Sequence, residues 1–188
     1  MKTIRTILNI LAAIIAVVLA APFFLGRSIF VEKEVVISKP RQEVFNYLKY
    51  IRNHVHYMEG NLANPDMNQA CSGSDGTAGF VCIWSLGKDS MVTGNIEIKK
   101  ITEPDRIDYE ARAKKPTVIA LIYMKTEELS RDQTKVKMGL TQKFPYAWRL
   151  RFLLFNVRKK IENMAEERLQ GDLDRLKKIL ENQTGSEN

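Results

Sequence analysis

The stretch that decides the fold is AWRLRFLLFNVRKKIENMAEERLQGDLDRLKKIL, residues 147–180. Apolar side chains recur in it every three to five positions, which predicts one long helix with an apolar stripe along one side. At about 1.5 Å per residue, the helix would be roughly 51 Å long, enough to cover a whole sheet and overhang its ends. The stripe contains Leu150, Leu154, Val157, Ile161, Met164, Leu169, Leu173, Leu176 and Leu180.

The first third of this predicted helix, Trp148 to Phe155, is apolar on nearly every side. A helical turn of this kind is buried on several sides, lines a cavity or touches a membrane. A core helix with a deeply buried first third is the simplest interpretation, and the sequence leaves the other two open.

Upstream of the helix, apolar and polar residues alternate with a period of two, and turn signals such as Gly73–Gly76 and Pro104–Asp105 separate the runs. This pattern predicts successive hairpins of an antiparallel sheet with one wet face, and only the long helix could cover the other face. A short helix after Pro40 follows the first strand. The predicted strands cover residues 31–38, 79–86, 91–101, 106–113, 118–129 and 134–144.

The N-terminal segment Ile7 to Leu25 contains no charged residue and is long enough to cross a bilayer. A cleaved signal peptide is the alternative, but it would leave Phe23 and Phe24 exposed at the new terminus. The basic residues before the segment favour an N-terminus in the cytoplasm and a domain on the outer face. We therefore expect a membrane anchor over residues 1–28, a domain over 29–182 and a disordered tail over 183–188.

The composition is that of a globular protein, with 188 residues, 45% of them hydrophobic and 27% charged. The formal net charge is +7, but no strand interleaves aromatic and basic residues as RNA-binding motifs do. We expect no nucleic-acid partner. A mildly basic surface suits acidic lipid head groups at least as well as nucleic acid. We therefore expect the lipid bilayer to be a partner of the protein.

No constellation typical of catalysis is present in the sequence, and we predict no catalytic residue, no metal and no cofactor. His54 and His56 would point to one side of an extended segment with Glu59 nearby, but histidines at the surface or at a pocket rim are the better interpretation. Cys71 and Cys82 flank a turn on adjacent strands. They would form a disulfide in an oxidising compartment and act as two small apolar residues in the cytoplasm.

Four segments stand out along the chain: an early VEKEVVISKPRQEVFNYL, a middle GSDGTAGFVCIWSLG, a late DQTKVKMGLT and a closing LDRLKKIL. Together with the order of the elements, they resemble the START-like (SRPBCC) superfamily. The likeness is to its membrane-anchored, polyketide cyclase/dehydrase-like members and covers about residues 29–180. It implies an α+β helix-grip fold, in which a curved antiparallel sheet wraps around the C-terminal helix and encloses an apolar cavity. Relatives commonly carry tryptophans where this chain has Asn53 to Tyr57, so we expect a reshaped cavity mouth.

The function implied by this resemblance is binding of a hydrophobic small molecule or lipid. Two alternatives remain, a polyketide cyclase or hydrolase that uses the same cavity, and a non-catalytic envelope or stress protein. Small inward residues would leave space, and amphipathic rings would line it. The residues predicted to contact the ligand are Trp84, Gly94, Ile96, Tyr109, Ala111, Tyr123, Met138, Trp148 and Phe152.

Overall fold

The alternating segments form seven strands, which pair in one curved antiparallel sheet in the order β1-β7-β6-β5-β4-β3-β2. The computed structural model describes residues 2–59, 67–86, 92–114 and 117–182. The strands are β1 (Ser28–Ile37), β2 (Met67–Ser72), β3 (Val81–Leu86), β4 (Val92–Thr102), β5 (Arg106–Lys114), β6 (Val118–Ser130) and β7 (Gln133–Lys143). The helices are α1 (Lys2–Ala20), α2 (Arg41–Leu48), α3 (His54–Tyr57), α4 (Tyr146–Phe155) and α5 (Arg158–Asn182), with short 3-10 turns at Ala21–Phe23 and Ile51–Asn53.

The sheet confirms the predicted fold class, and its strand boundaries lie close to those expected from alternation. Two differences are found at its edges: β1 begins at Ser28, and Met67–Ser72 forms a strand of its own that pairs with β3. The last strand, β7, lies beside β1 along the whole of β1. The first and last strands of the domain therefore meet, and α5 lies along β1 on the inward face.

The core lies between the inward residues of the sheet and the helices α2, α3 and α5. Val44, Phe45, Leu48 and Ile51 are all fully buried. Burial of each such side chain contributes about 1.5–3 kcal/mol relative to exposure. This part of the domain is therefore filled.

The prediction of one continuous helix over residues 147–180 is wrong. α4 ends at Phe155, and Asn156 adopts a left-handed backbone conformation with φ of 48° before α5 begins. Asparagine tolerates this conformation and is a frequent residue at the end of a helix. The break lets α4 pack in a separate cluster, where Phe152 contacts Phe144 near Ile29, while α5 turns onto the sheet.

α1 and the 3-10 turn after it form a segment, Lys2–Phe23, that is long and apolar enough to cross a membrane. Only 6% of its most apolar window is buried within the protein. The helix begins before the predicted Ile7 and ends before Leu25, because Pro22 and the turn Ala21–Phe23 close it. The predicted tail, 183–188, lies outside the described residues.

His54 is buried in the core and not at a pocket rim. Its Nε2 lies 3.3 Å from the Leu48 carbonyl oxygen, and its ring contacts those of Tyr57 and Tyr109 edge-on. Burial lowers its pKa to about 4, because the charged form would lose its hydration. The segment is helical and not extended, so His54 and the exposed His56 point in different directions.

The buried neutral His54 predicts a pH-dependent stability. Between its unfolded pKa of 6.5 and the folded value of about 4, only the unfolded chain takes up the proton. The free energy of unfolding should therefore fall by about 2 kcal/mol as the pH is lowered from about 7.5 to 5. Denaturant unfolding of the detergent-solubilised chain, followed by circular dichroism, measures this change.

The matched controls are His54→Phe, which should abolish this pH dependence, and His56→Phe, which should retain it. An equal pH dependence in the wild-type and His54→Phe proteins would contradict the assignment.

Candidate functional site

A cavity of about 290 Å3 lies between the inward face of the sheet and α5. This volume is at the lower end of the range for small-molecule sites in proteins, roughly 300–1,000 Å3. Most of its wall is apolar. The lining residues are Met58, Glu59, Trp84, Ile96, Ala111, Ala113, Val118, Ala120, Ile122, Met138, Leu140, Gln142, Arg168, Leu169 and Asp172.

The floor of the cavity is one row of residues that crosses four neighbouring strands. Ile96 pairs with Ala111, Ala111 with Ala120, and Ala120 with Gln142. Paired side chains on antiparallel strands lie on the same face of the sheet, about 5 Å apart. The two alanines in the middle of the row carry only a methyl group each. They leave a depression in the inward face where larger side chains would fill the space below α5.

The wall formed by α5 is held in place by the buried carboxylate of Asp172, whose residue is 3% exposed. Asp172 Oδ1 accepts a hydrogen bond of 2.7 Å from the Glu59 backbone N–H and one of 2.5 Å from Arg175 Nη2. Arg175 Nε also donates to the Tyr57 carbonyl oxygen. These bonds fasten the segment after α3 to α5 and fix two sides of the cavity relative to each other.

Burial raises the pKa of Asp172, while the Glu59 N–H and Arg175 act in the opposite direction. Glu59 and Arg168 are exposed and lie at the rim, so the opening of the cavity is charged and its interior is apolar. Such an arrangement suits a molecule with an apolar body and a polar end.

Of the nine residues predicted to contact a ligand, Trp84, Ile96, Ala111 and Met138 line the cavity. Gly94 lies on the same inward face, but the expected space above it is occupied. A Cβ at this position would be 2.3 Å from Trp84 Cζ2 and 2.4 Å from the Arg112 carbonyl oxygen. The glycine therefore accommodates the Trp84 indole and does not make room for a ligand.

The other four predicted residues lie elsewhere. Tyr109 is in the core beside α2, where its hydroxyl donates to the Leu48 carbonyl oxygen. Tyr123 lies on the outer face, against Glu32 and below the Arg106 guanidinium, because its phase on β6 is opposite to that of Ile122. Trp148 and Phe152 pack in the second cluster because the helix is broken at Asn156.

Some of the lining residues that the prediction missed left a signal in the sequence, and others left none. Ala113 and Ala120 continue the inward phase of β5 and β6, so strict counting along the strands would have found them. Asp172 interrupts the apolar stripe three residues after Leu169, which is a signal that a buried polar group is present. Met58 and Glu59 lie in an irregular segment with no pattern from which their position could be derived.

Among the described residues that line the cavity, none is a serine, threonine, cysteine, histidine or lysine. Among the residues that the structure describes, no three His, Cys, Asp or Glu side chains are placed to hold a metal ion. The ionisable side chains among the lining residues given above are Glu59, Arg168 and Asp172. Cys71 and Cys82 are joined by a disulfide on β2 and β3.

Comparisons of sequence find no match, either among protein-family models or among curated proteins. Comparison of structures does find similar folds. A START superfamily protein from Mycobacterium smegmatis is 11% identical, with a TM-score of 0.56 over 82% of this chain and 98% of that chain. A Thalictrum norcoclaurine synthase point mutant, in complex with a transition-state analogue, is 9% identical, with a TM-score of 0.57 over 84% and 97%.

A third similar structure is DynU16, a protein of the dynemicin biosynthetic locus. It is 11% identical, with a TM-score of 0.52 over 81% of this chain and 47% of that chain. At these identities the likeness shows the fold alone. The chain therefore has the START-like helix-grip fold that the order of its elements resembles.

Proposed function

We propose that the protein is a membrane-tethered binding protein that holds a hydrophobic small molecule or lipid in the cavity between the sheet and α5. The observation that supports this most directly is the pair of alanines in the floor of the cavity, Ala111 and Ala120. Protein interiors are normally close-packed, so an apolar depression left open beneath a covering helix is space for a ligand.

The position of the cavity supports a ligand drawn from the membrane. Gln142 lines the cavity and pairs with Ile29, which follows the proposed anchor by only a few residues. The apolar space therefore lies at the end of the sheet where the chain would leave the bilayer. An acyl chain or another apolar molecule would have a short path from membrane to cavity.

Filling the cavity with Ala120→Phe tests this proposal. The full-length wild-type protein, purified in detergent and extracted with organic solvent, should release an apolar molecule that mass spectrometry detects. The variant should release far less of it, because the ring occupies the cavity floor. The cost in stability should be about 1–3 kcal/mol or less.

Leu121→Phe is the matched control, since Leu121 is the next residue on β6 and lies on the exposed outer face. It should retain the molecule at the wild-type level. Equal amounts in all three proteins, or none in the wild type, would contradict the proposal.

An enzyme of the cyclase or hydrolase type is the second candidate, and one observation favours it. Asp172 is a buried carboxyl group with a raised pKa on the wall of the cavity. A general acid or base has this character. Asp172 Oδ1 is, however, already bound by the Glu59 N–H and Arg175, so binding without reaction is favoured. Turnover of a small ester or polyketide analogue that is lost in Asp172→Asn would favour the enzyme.

We also propose that the domain lies on the outer face of the membrane. Cys71 and Cys82 are direct cross-strand partners joined by a disulfide, and disulfides persist in oxidising compartments. A closed loop of this length stabilises a fold by about 3 kcal/mol in the chain-entropy treatment.

Protein alkylated in its native membrane without reduction should therefore yield one linked peptide pair containing Cys71 and Cys82, detected by mass spectrometry. Alkylation after reduction is the control and should label both thiols. Two freely alkylated thiols in the unreduced sample would contradict the outer-face assignment.

A further inference from the structure

The last turn of α4 carries three large apolar side chains, spread over about 200° of the helix, that the domain does not cover. Leu153 is 41%, Leu154 54% and Phe155 69% exposed, at the C-terminal end of the helix. Single exposed apolar residues are ordinary, but three adjacent ones on a helix of ten residues mark a surface that meets something apolar. We call these three residues the α4 patch.

The first turn of α4, which precedes this patch, is attached to the end of α1. The Tyr146 hydroxyl donates to the Leu19 carbonyl oxygen at 2.6 Å, and Arg149 Nη1 donates to the Pro22 carbonyl oxygen at 2.9 Å. The Tyr146 ring also packs on Phe23, with 5.1 Å between centroids. Since Leu19 precedes Phe23 by about 6 Å of helix rise, the start of α4 lies level with the last turn of the membrane-spanning segment.

The charge around α4 is of one sign. From Phe144 to Ile161 the chain contains Arg149, Arg151, Arg158, Lys159 and Lys160 and no acidic residue. Arg151, Lys159 and Lys160 are exposed. Exposed apolar side chains flanked by basic residues favour contact with the surface of bilayers that contain acidic lipids.

We infer that α4 is an interfacial membrane helix, whose patch of Leu153, Leu154 and Phe155 inserts into the lipid surface beside the end of α1. The protein then contacts the bilayer at two places, and the second contact fixes the orientation of the domain. This inference rests on the proposed tether, but it does not depend on what the cavity binds.

Nitroxide labels on single introduced cysteines of the full chain, reconstituted in vesicles of phosphatidylcholine and phosphatidylglycerol, test the inference. The native cysteines are bonded to each other and do not react with the label unless reduced. Power saturation compares collision of each label with oxygen, which concentrates in lipid, and with a water-soluble nickel complex. A label at Leu154→Cys should lie about 5–10 Å below the head groups and be protected from nickel.

Labels at two further positions distinguish failure of the proposed tether from failure of the inference about α4. A label at Ile10→Cys reports on the tether alone and should lie in the hydrocarbon, whereas one at Lys178→Cys, exposed near the far end of α5, should remain in water. A label at Phe155→Cys repeats the measurement if Leu154→Cys perturbs the fold.

Nickel access at residue 154 equal to that at residue 178, with residue 10 still in lipid, would overturn the inference and leave the tether intact. Spin–spin broadening at residue 154 would assign the patch to a second copy of the chain and would also overturn it. Removal of phosphatidylglycerol should make the label shallower, and an unchanged depth would overturn the role of the basic residues.

Discussion

The structure depends on the packing of one face of α5 against the inward side of the sheet along β1. Leu169, Leu173, Leu176 and Leu180 are buried in that contact, each contributing about 1.5–3 kcal/mol. The contact is complete toward the C-terminal end of α5 and incomplete toward its start. The cavity lies where Leu169 and Asp172 face the two floor alanines instead of larger side chains. Stability and an open apolar space therefore come from the same helix, at different points along it.

Sequence reasoning predicted the sheet well because most of its strands have one buried and one solvent-exposed face, so that the alternation of apolar and polar residues is strong. It failed at Tyr123, where both neighbours are apolar and the phase on β6 was ambiguous. It also failed at Gly94, because a glycine on an inward face can leave space or accommodate a neighbour. Only the position of the Trp84 indole shows that Gly94 accommodates a neighbouring side chain and does not leave space for a ligand. Contacts between α5 and the residues just after α3, such as that of Asp172 with the Glu59 N–H, follow no sequence period from which they could be inferred.

The break at Asn156 separates α4 from the cavity. A continuous helix would have carried Trp148 and Phe152 toward the sheet, as the sequence suggested. The left-handed residue directs α4 toward Phe144 and the end of α1, and it frees α5 to cover the sheet. The apolar first third of the predicted helix thus packs beside the end of α1 and not on the cavity wall.

The central claim, that the cavity holds an apolar molecule taken from the bilayer, is tested most directly by photocrosslinking. The full-length protein would be reconstituted with a phospholipid or fatty acid that carries a diazirine near the end of its acyl chain. Mass spectrometry would then map the adducts after irradiation. We predict adducts on cavity residues such as Met58, Met138 and Leu169, in addition to those on α1. Adducts confined to α1 and α4 would contradict the claim.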